Sequence, residues 1–132
     1  MVTDRVGDFI IRLQNAAMIG KASVSMPYSN HLFAIAEKLK ELGFLSSVKV
    51  EDANAVKKTF VAALAYDKEG HAKLRGVKRI SKPGRRLYTT AVTAHTVKGG
   101  TGARLISSPA GILSDREARK QHVGGEDLFE IW

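Results

Sequence analysis

The sequence predicts an α+β fold built from two small α/β lobes, and three observations support this prediction. The chain has 132 residues, of which 44% are hydrophobic, so it is long enough to bury a core. Helical and extended hydrophobic patterns alternate over residues 1–70, whereas residues 71–132 are mostly extended with one short helix. The formal charge is +1 up to Ala72 and +7 over the rest of the chain. We therefore expect an N-terminal lobe over 1–70 and a C-terminal lobe over 71–132.

The chain is expected to begin with an amphipathic helix. Thr3 is placed to cap this helix, and Gly20 marks its end. Asp8 and Arg12 lie four residues apart, which predicts an ion pair on the exposed face. The apolar residues recur at steps of three and four, which is the helical period, and they are Val6, Phe9, Ile10, Leu13 and Ala17.

A strand, a second helix and two further strands complete the predicted N-terminal lobe. Val24–Met26 forms the short strand, and Ser29 then caps the second helix, which ends at Gly43. Val48–Glu51 alternates between apolar and charged residues, and residues 59–66 are β-branched and aromatic, so both segments are predicted strands. The apolar face of the second helix consists of Leu32, Ile35, Ala36, Leu39 and Leu42.

The C-terminal lobe is predicted to start with an amphipathic strand over 73–80. Gly76 breaks the alternation of this strand, which indicates a bulge. A turn over 81–85 contains Pro and Gly, and the chain returns through 87–89. Residues 103–107 form the next predicted strand.

The end of the chain combines a short helix and a strand. Ser114 and Glu117 match a capping box, which predicts a helix over 115–122. Gly124–Gly125 is expected to close this helix. A last strand then ends at Trp132.

Positive charge is the strongest compositional signal in the chain. There are 21 Lys and Arg residues against 13 Asp and Glu residues, which gives a formal charge of +8. Nine of the basic residues, and no acidic residue, lie in the 45 positions between Glu69 and Asp115. Such a segment favours a polyanionic partner, with nucleic acid ahead of an anionic membrane surface.

Composition also excludes several functional classes. With zero cysteines the chain cannot form disulfides, cysteine-ligated zinc sites or thiol nucleophiles. The four histidines lack ligand spacing, so we expect neither a metal nor another cofactor. No apolar run approaches the ~18 residues of a membrane span. Asp4 and Asp8 do not fit a secretory signal, so a soluble, cytoplasmic protein is expected.

The basic segment contains groups that suit RNA. Tyr88 offers a ring for stacking on a base or ribose, although a half-buried aromatic of a strand explains it equally well. Ser107, Ser108 and Gly111 lie in a small loop whose hydroxyls and amides can approach the minor groove of an RNA helix, although a turn between two strands explains this loop equally well. The cations that can neutralise phosphates are Lys73, Arg75, Lys78, Arg79, Lys82, Arg85 and Arg86.

Two alternatives compete with RNA binding. The glycine-rich stretch Gly99–Gly102 suggests an enzyme acting on a nucleotide or a phosphorylated substrate. A P-loop, however, carries its lysine after the glycines, where a helix begins, whereas Lys98 precedes them and a strand is predicted to follow. Nonspecific binding to polyanions or membrane surfaces is the other alternative.

Several segments resemble those of one family, ribosomal protein eight of the bacterial small subunit. Arg79–Tyr88 and Gly102–Gly125 carry most of the resemblance. It continues in register through Asp4–Asn15, Met26–Ser29 and Leu42–Phe44, and therefore covers essentially the whole chain.

The resemblance implies a structural RNA-binding protein without enzyme activity. Such a protein binds 16S rRNA directly in the central domain of the small subunit and helps to assemble its platform, with the C-terminal lobe as the RNA-binding lobe. The implied protein partners are neighbours in the small subunit, including protein five and protein twelve. Some members also bind a similar structure in the messenger RNA of their own operon and repress ribosomal-protein synthesis.

The resemblance also bears on particular residues. The tripeptide Gly124-Gly125-Glu126 and the aromatic Tyr88 match the family. The family loop usually reads Ser-Thr-Ser-Lys-Gly, whereas here Pro109 and Ala110 replace a hydroxyl and a positive charge. The candidate RNA-binding residues are Lys82, Arg85, Arg86, Tyr88, Ser107, Ser108, Gly111, Gly124, Gly125 and Glu126.

Overall fold

The structure is a computed structural model that describes residues 4–52, 58–89 and 102–132. These residues form three helices and eight strands, and the strands make two antiparallel sheets. The predicted α+β class is therefore confirmed.

The chain divides into two compact units. We call Asp8–Arg75 the N-terminal unit. Gly76–Trp132 and Met1–Gly7 together make the C-terminal unit. The first helix therefore begins in the C-terminal unit and continues in the N-terminal one.

The N-terminal unit follows the predicted order of helix, strand, helix, strand, strand. Its three strands form a sheet in the order β1-β3-β2. The aromatic ring of Phe60 is fully buried in its core and packs edge to face against Phe9 and Phe33. The elements are α1 (Arg5–Ile19), β1 (Ser23–Pro27), α2 (Asn30–Glu41), β2 (Leu45–Asp52) and β3 (Lys58–Leu64).

Helix α1 is capped by an aspartate. Oδ1 of Asp4 accepts a hydrogen bond from the backbone N–H of Gly7 at 3.0 Å, which is the N-cap geometry. Thr3, the residue that the sequence suggests for this position, lies outside the described residues. The buried face extends to Ala16, while Ala17 is only half-buried.

Helix α2 has the predicted start and end. The Ser29 side chain accepts a hydrogen bond from the third residue of the helix at 3.1 Å. Gly43 takes a left-handed conformation with φ of 93°, and the N–H of Phe44 donates to the carbonyl of Leu39 at 3.0 Å, which satisfies the helix end. Leu42, predicted on the buried face, is 36% exposed because the helix ends there.

The C-terminal unit is mostly β, as predicted. One strand, β8, pairs with three others: β4 and β5 lie along one of its edges and β6 lies along the other, followed by β7. The elements are β4 (Val77–Arg79), β5 (Tyr88–Thr89), β6 (Ala103–Ser108), β7 (Gly111–Ser114), α3 (Asp115–Gln121) and β8 (Gly125–Ile131).

The strand predicted over 73–80 is wrong in length and detail. Within this segment, the strand spans only Val77–Arg79. Gly76 does not form a bulge: its N–H and carbonyl exchange hydrogen bonds with Trp132, both at 3.0 Å, in register with β4 and β8. A Cβ at this position would lie 2.7 Å from the indole ring of Trp132, so the glycine makes room for that ring.

Helix α3 begins as predicted and ends differently. Ser114 and Glu117 form the capping box. The helix is closed by His122, which has a left-handed φ of 55°, rather than by Gly124–Gly125. The Val123 N–H reaches back into the last turn of the helix, so the carbonyls there are satisfied before the glycines are reached.

Within the C-terminal unit, the carboxylate of Asp4 also binds Arg79. It accepts two hydrogen bonds from the guanidinium of Arg79, each 3.1 Å long. A third guanidinium nitrogen donates to the carbonyl of Leu128 at 2.7 Å. The Arg79 side chain is 10% exposed, so this bidentate pair is shielded from water.

We predict that Asp4→Ala lowers the free energy of unfolding by about 2 kcal/mol, because α1 loses its cap and Arg79 loses its partner. Asp4→Asn should lose less, because asparagine caps helices nearly as well as aspartate. Asp8→Ala is the matched control: it removes the exposed Asp8–Arg12 pair of 3.3 Å and a carboxylate of the first helical turn, while alanine has the higher helix propensity, so it should cost less than about 0.5 kcal/mol. Urea unfolding at pH 7 measures the stability of all three variants. Equal effects of the two alanine variants would contradict the role of Asp4 as helix cap and partner of Arg79.

Candidate nucleic-acid interface

Three candidate residues lie in one row across the C-terminal sheet. Tyr88 on β5 is opposite Glu126 on β8, and Glu126 is opposite Ser107 on β6. Residues opposite one another in antiparallel strands share a face, and neighbouring strands are about 4.8 Å apart. Strands β5 and β6 are thus about 10 Å apart, and the Glu126 carboxylate on β8 lies between them.

The hydroxyls of Ser107 and Ser108, at the loop between β6 and β7, differ in their hydrogen bonding. Oγ of Ser108 donates to the carbonyl of Gly111 at 2.8 Å and accepts from the N–H of Ala110 at 3.2 Å, so it closes the turn. Gly111 has a φ of 113°, which favours glycine. Among the described residues, the half-buried Ser107 hydroxyl has no hydrogen-bond partner. Ser107 is therefore the hydroxyl that is available to a ligand.

Gly125 lets two strands approach closely. A Cβ at this position would lie 2.1 Å from the carbonyl oxygen of Ser107. Close packing therefore explains why the second residue of Gly124-Gly125-Glu126 is a glycine. Gly124, half-buried, connects α3 to β8.

The connection between β4 and β5 presents cations at the edge of the sheet. We call Lys82–Arg86 the basic turn. Lys82 and Arg85 exchange backbone hydrogen bonds of 3.0 and 2.9 Å, which confirms the predicted turn. Their side chains and that of Arg86 are exposed, and no carboxylate of the described residues pairs with Lys82 or Arg85. Tyr88, which follows the basic turn, is 72% exposed, so its ring is not part of the core.

Part of the basic segment is neutralised by acids from elsewhere in the chain. Arg79 is bound to Asp4, as described above. Arg104 pairs with Asp127 at 3.0 Å and also with Glu130, and its guanidinium is mostly buried. These two arginines stabilise the unit and are not available to a polyanion. Lys82 and Arg85 supply the free positive charge of the basic turn, whereas Arg86 pairs with Glu126 at 3.0 Å. Lys78 is also exposed, on β4 opposite Glu130.

Sequence reasoning missed one residue of this region. Ser81 is fully buried, and its hydroxyl donates to Glu126 at 2.6 Å and accepts from the N–H of Leu87 at 3.2 Å. The only sequence signal was a serine at the base of a predicted turn. Such a signal does not reveal a partner 45 residues away.

The described part of the chain contains no group of three side chains able to hold a metal ion. None of its helices is long and apolar enough to span a bilayer. The glycines at 99 and 100 lie outside the described residues.

Comparison with known proteins gives consistent matches over the full length. The family model described as "Ribosomal protein S8" matches residues 4–132. The small ribosomal subunit protein uS8 of Chloroflexus aurantiacus is 40% identical over 131 residues, which is 99% of this chain and 98% of the relative. The uS8 of Rhodococcus erythropolis is 41% identical with the same coverage, and that of Helicobacter pylori is 39% identical over all of both chains.

We predict that Gly125→Ala destabilises the protein by about 2 kcal/mol, because the added methyl overlaps a backbone carbonyl that cannot move without breaking the β6–β8 pairing. Gly84→Ala is the matched control within the basic turn: nothing lies within 4 Å of its Cβ position, and its φ is not positive. We expect that control to change stability by no more than about 0.5 kcal/mol. Thermal unfolding of the two variants distinguishes them, and a neutral Gly125→Ala would show that β8 does not need this close approach.

Proposed function

The chain belongs to the ribosomal protein S8 family and is a structural constituent of the small ribosomal subunit, and on that premise we propose that it binds 16S rRNA directly in the central domain. The members of this family are structural ribosomal proteins rather than enzymes, so the nucleotide-enzyme alternative is set aside. The small subunit also defines the location of the protein in the cytoplasm. We further propose that binding helps to assemble the platform of the subunit.

The observation that carries the proposal is the combination of groups along one row and its edge. An exposed aromatic ring, Tyr88, lies beside the basic turn and on the same sheet as the unpaired Ser107 hydroxyl. Cations neutralise phosphates, aromatic rings stack on unpaired bases, and hydroxyls reach 2′-hydroxyls and base edges. An irregular RNA stem offers all three kinds of partner. This supports residues 71–132 as the RNA-binding lobe.

The candidate residues have different proposed roles. Lys82, Arg85 and Arg86 contact phosphates, and Tyr88 stacks. Ser107 contributes recognition. The remaining candidates shape the surface: Ser108 and Gly111 hold the turn, Gly124 connects α3 to β8, Gly125 brings β8 to β6, and Glu126 binds Arg86.

Further partners are proposed from the family alone. The protein contacts its neighbours in the small subunit, including protein five and protein twelve. It also binds a similar stem in the messenger RNA of its own operon and represses translation there. A reporter carrying the operon leader tests this role, because excess protein lowers its expression only if the leader is bound.

Nonspecific polyanion binding is the competing explanation for the charge. Bulk tRNA and anionic vesicles carry phosphates without the cognate stem. If they compete with the stem at equal phosphate concentration, the binding is electrostatic only. A specific site resists such competition.

We predict that the affinity for the rRNA stem falls steeply with salt and that Lys82→Ala or Arg85→Ala reduces the slope of log K against log salt by about 1 each. The reason is that each cation displaces counterions from one phosphate. Lys40→Ala, an exposed lysine on α2, is the matched control and should leave the slope unchanged. Filter binding over a salt series makes the measurement, and a similar loss from Lys40→Ala would contradict the charge partition.

We predict that replacing both Ser107 and Ser108 by Ala reduces the discrimination between cognate and mismatched stems by about fivefold, the equivalent of one hydrogen bond of about 1 kcal/mol. Ser107→Ala alone should carry that loss with unchanged stability, because its hydroxyl has no partner within the described chain. Ser108→Ala should mainly loosen the turn. Binding across salt concentrations, with circular dichroism to confirm folding, separates these effects. If the folded double variant discriminates as well as the wild type, the loop is only a turn between two strands and has no role in recognition.

A further inference from the structure

A carboxylate occupies the centre of a surface proposed to bind a polyanion. The Glu126 side chain is 22% exposed and lies opposite both Tyr88 and Ser107. By charge alone, such a group repels phosphates and weakens binding. Its contacts point to another role: Oε2 accepts a hydrogen bond from the Ser81 hydroxyl at 2.6 Å and one from Nη1 of Arg86 at 3.0 Å.

Both the backbone N–H and the hydroxyl of Ser81 form hydrogen bonds within the described residues. Its backbone N–H donates to the carbonyl of Asp127 at 3.0 Å, and its hydroxyl accepts from the N–H of Leu87 at 3.2 Å. The N–H of Asp127 donates in turn to the carbonyl of Leu87 at 2.9 Å. These bonds close the base of the basic turn against β8. Because Ser81 is 0% exposed, it cannot itself contact a ligand.

We propose that Ser81 and Glu126 are positioning residues that orient Arg86 for RNA, an inference that rests on the proposed function. Ser81 fixes one carboxylate oxygen of Glu126, and that oxygen then holds the Arg86 guanidinium. The Arg86 side chain is 48% exposed, so its ion pair adds little to folding stability. The pair instead restricts a flexible side chain before binding, which reduces the entropy lost when the RNA is bound.

Positioning and charge give opposite expectations for Glu126→Gln. Removal of a negative charge from an RNA surface tightens binding if only charge matters. Glutamine still accepts the Ser81 hydrogen bond but no longer attracts Arg86, so positioning predicts weaker binding. We expect a loss of about threefold to fivefold for Glu126→Gln and a similar loss for Ser81→Ala.

The experiment is a double-mutant cycle on the full chain, with dissociation constants measured by filter binding to a central-domain fragment of 16S rRNA. The single variants are Ser81→Ala, Glu126→Gln and Arg86→Ala, and the first two are each also combined with Arg86→Ala. The control is Ser114→Ala, which removes another buried serine, 4% exposed, that forms the capping box with Glu117 at the start of α3. Thermal unfolding is recorded for every variant.

The expected result is that Ser81→Ala and Glu126→Gln each weaken binding in the wild-type background and have no further effect once Arg86 is alanine. Ser114→Ala should lower stability without this loss of affinity. Wild-type affinity or tighter binding of Glu126→Gln, or losses that add to that of Arg86→Ala, would overturn the proposal. If Ser81→Ala does not fold, the Glu126–Arg86 cycle decides alone. Failure of the wild-type chain to prefer the fragment over bulk tRNA would instead refute the proposed function.

Discussion

The C-terminal unit depends on the backbone pairing of strand β8, which joins segments from three separate parts of the chain. Its first half pairs with β5 and its second half with β4, while its other edge pairs with β6. A bulge places Leu128 as an extra residue, because Leu105 is opposite Phe129 while Ile106 is opposite Asp127. Consecutive residues of β8 are therefore buried. The row that contains Tyr88 and Ser107 exists only because both strands align on β8.

Residues of β8 bind two of the arginines, Arg79 and Arg104, and leave other cations exposed. Asp127 and Glu130 bind Arg104 within the unit, and the Leu128 carbonyl joins Asp4 in holding Arg79. Buried arginines of this kind need partners, because an unpaired charge away from water is strongly destabilising. The cations of the basic turn stay exposed. A run that is basic in sequence thus becomes partly structural and partly a surface.

Much of the fold could be predicted because its signals are local. Ser29 and Gly43 delimit α2, and Ser114 with Glu117 starts α3, through hydrogen bonds between residues only a few positions apart. The α+β class follows from such elements and from hydrophobic periodicity. The candidate residues could be named because the exposed cations, Tyr88 and the serine loop carry their chemistry in their own side chains.

The sequence by itself determined the α+β class, the helix caps at Ser29, Gly43 and Ser114, and the concentration of positive charge in the second half. Only the tertiary structure decided which cations are free, which of Ser107 and Ser108 is available, and that Ser81 meets Glu126. Each of these depends on which strands pair and in what register, and register is set by the matching of buried faces and by close packing between distant residues, such as Gly76 against Trp132. No short window of sequence contains that information, because the partners lie tens of residues apart.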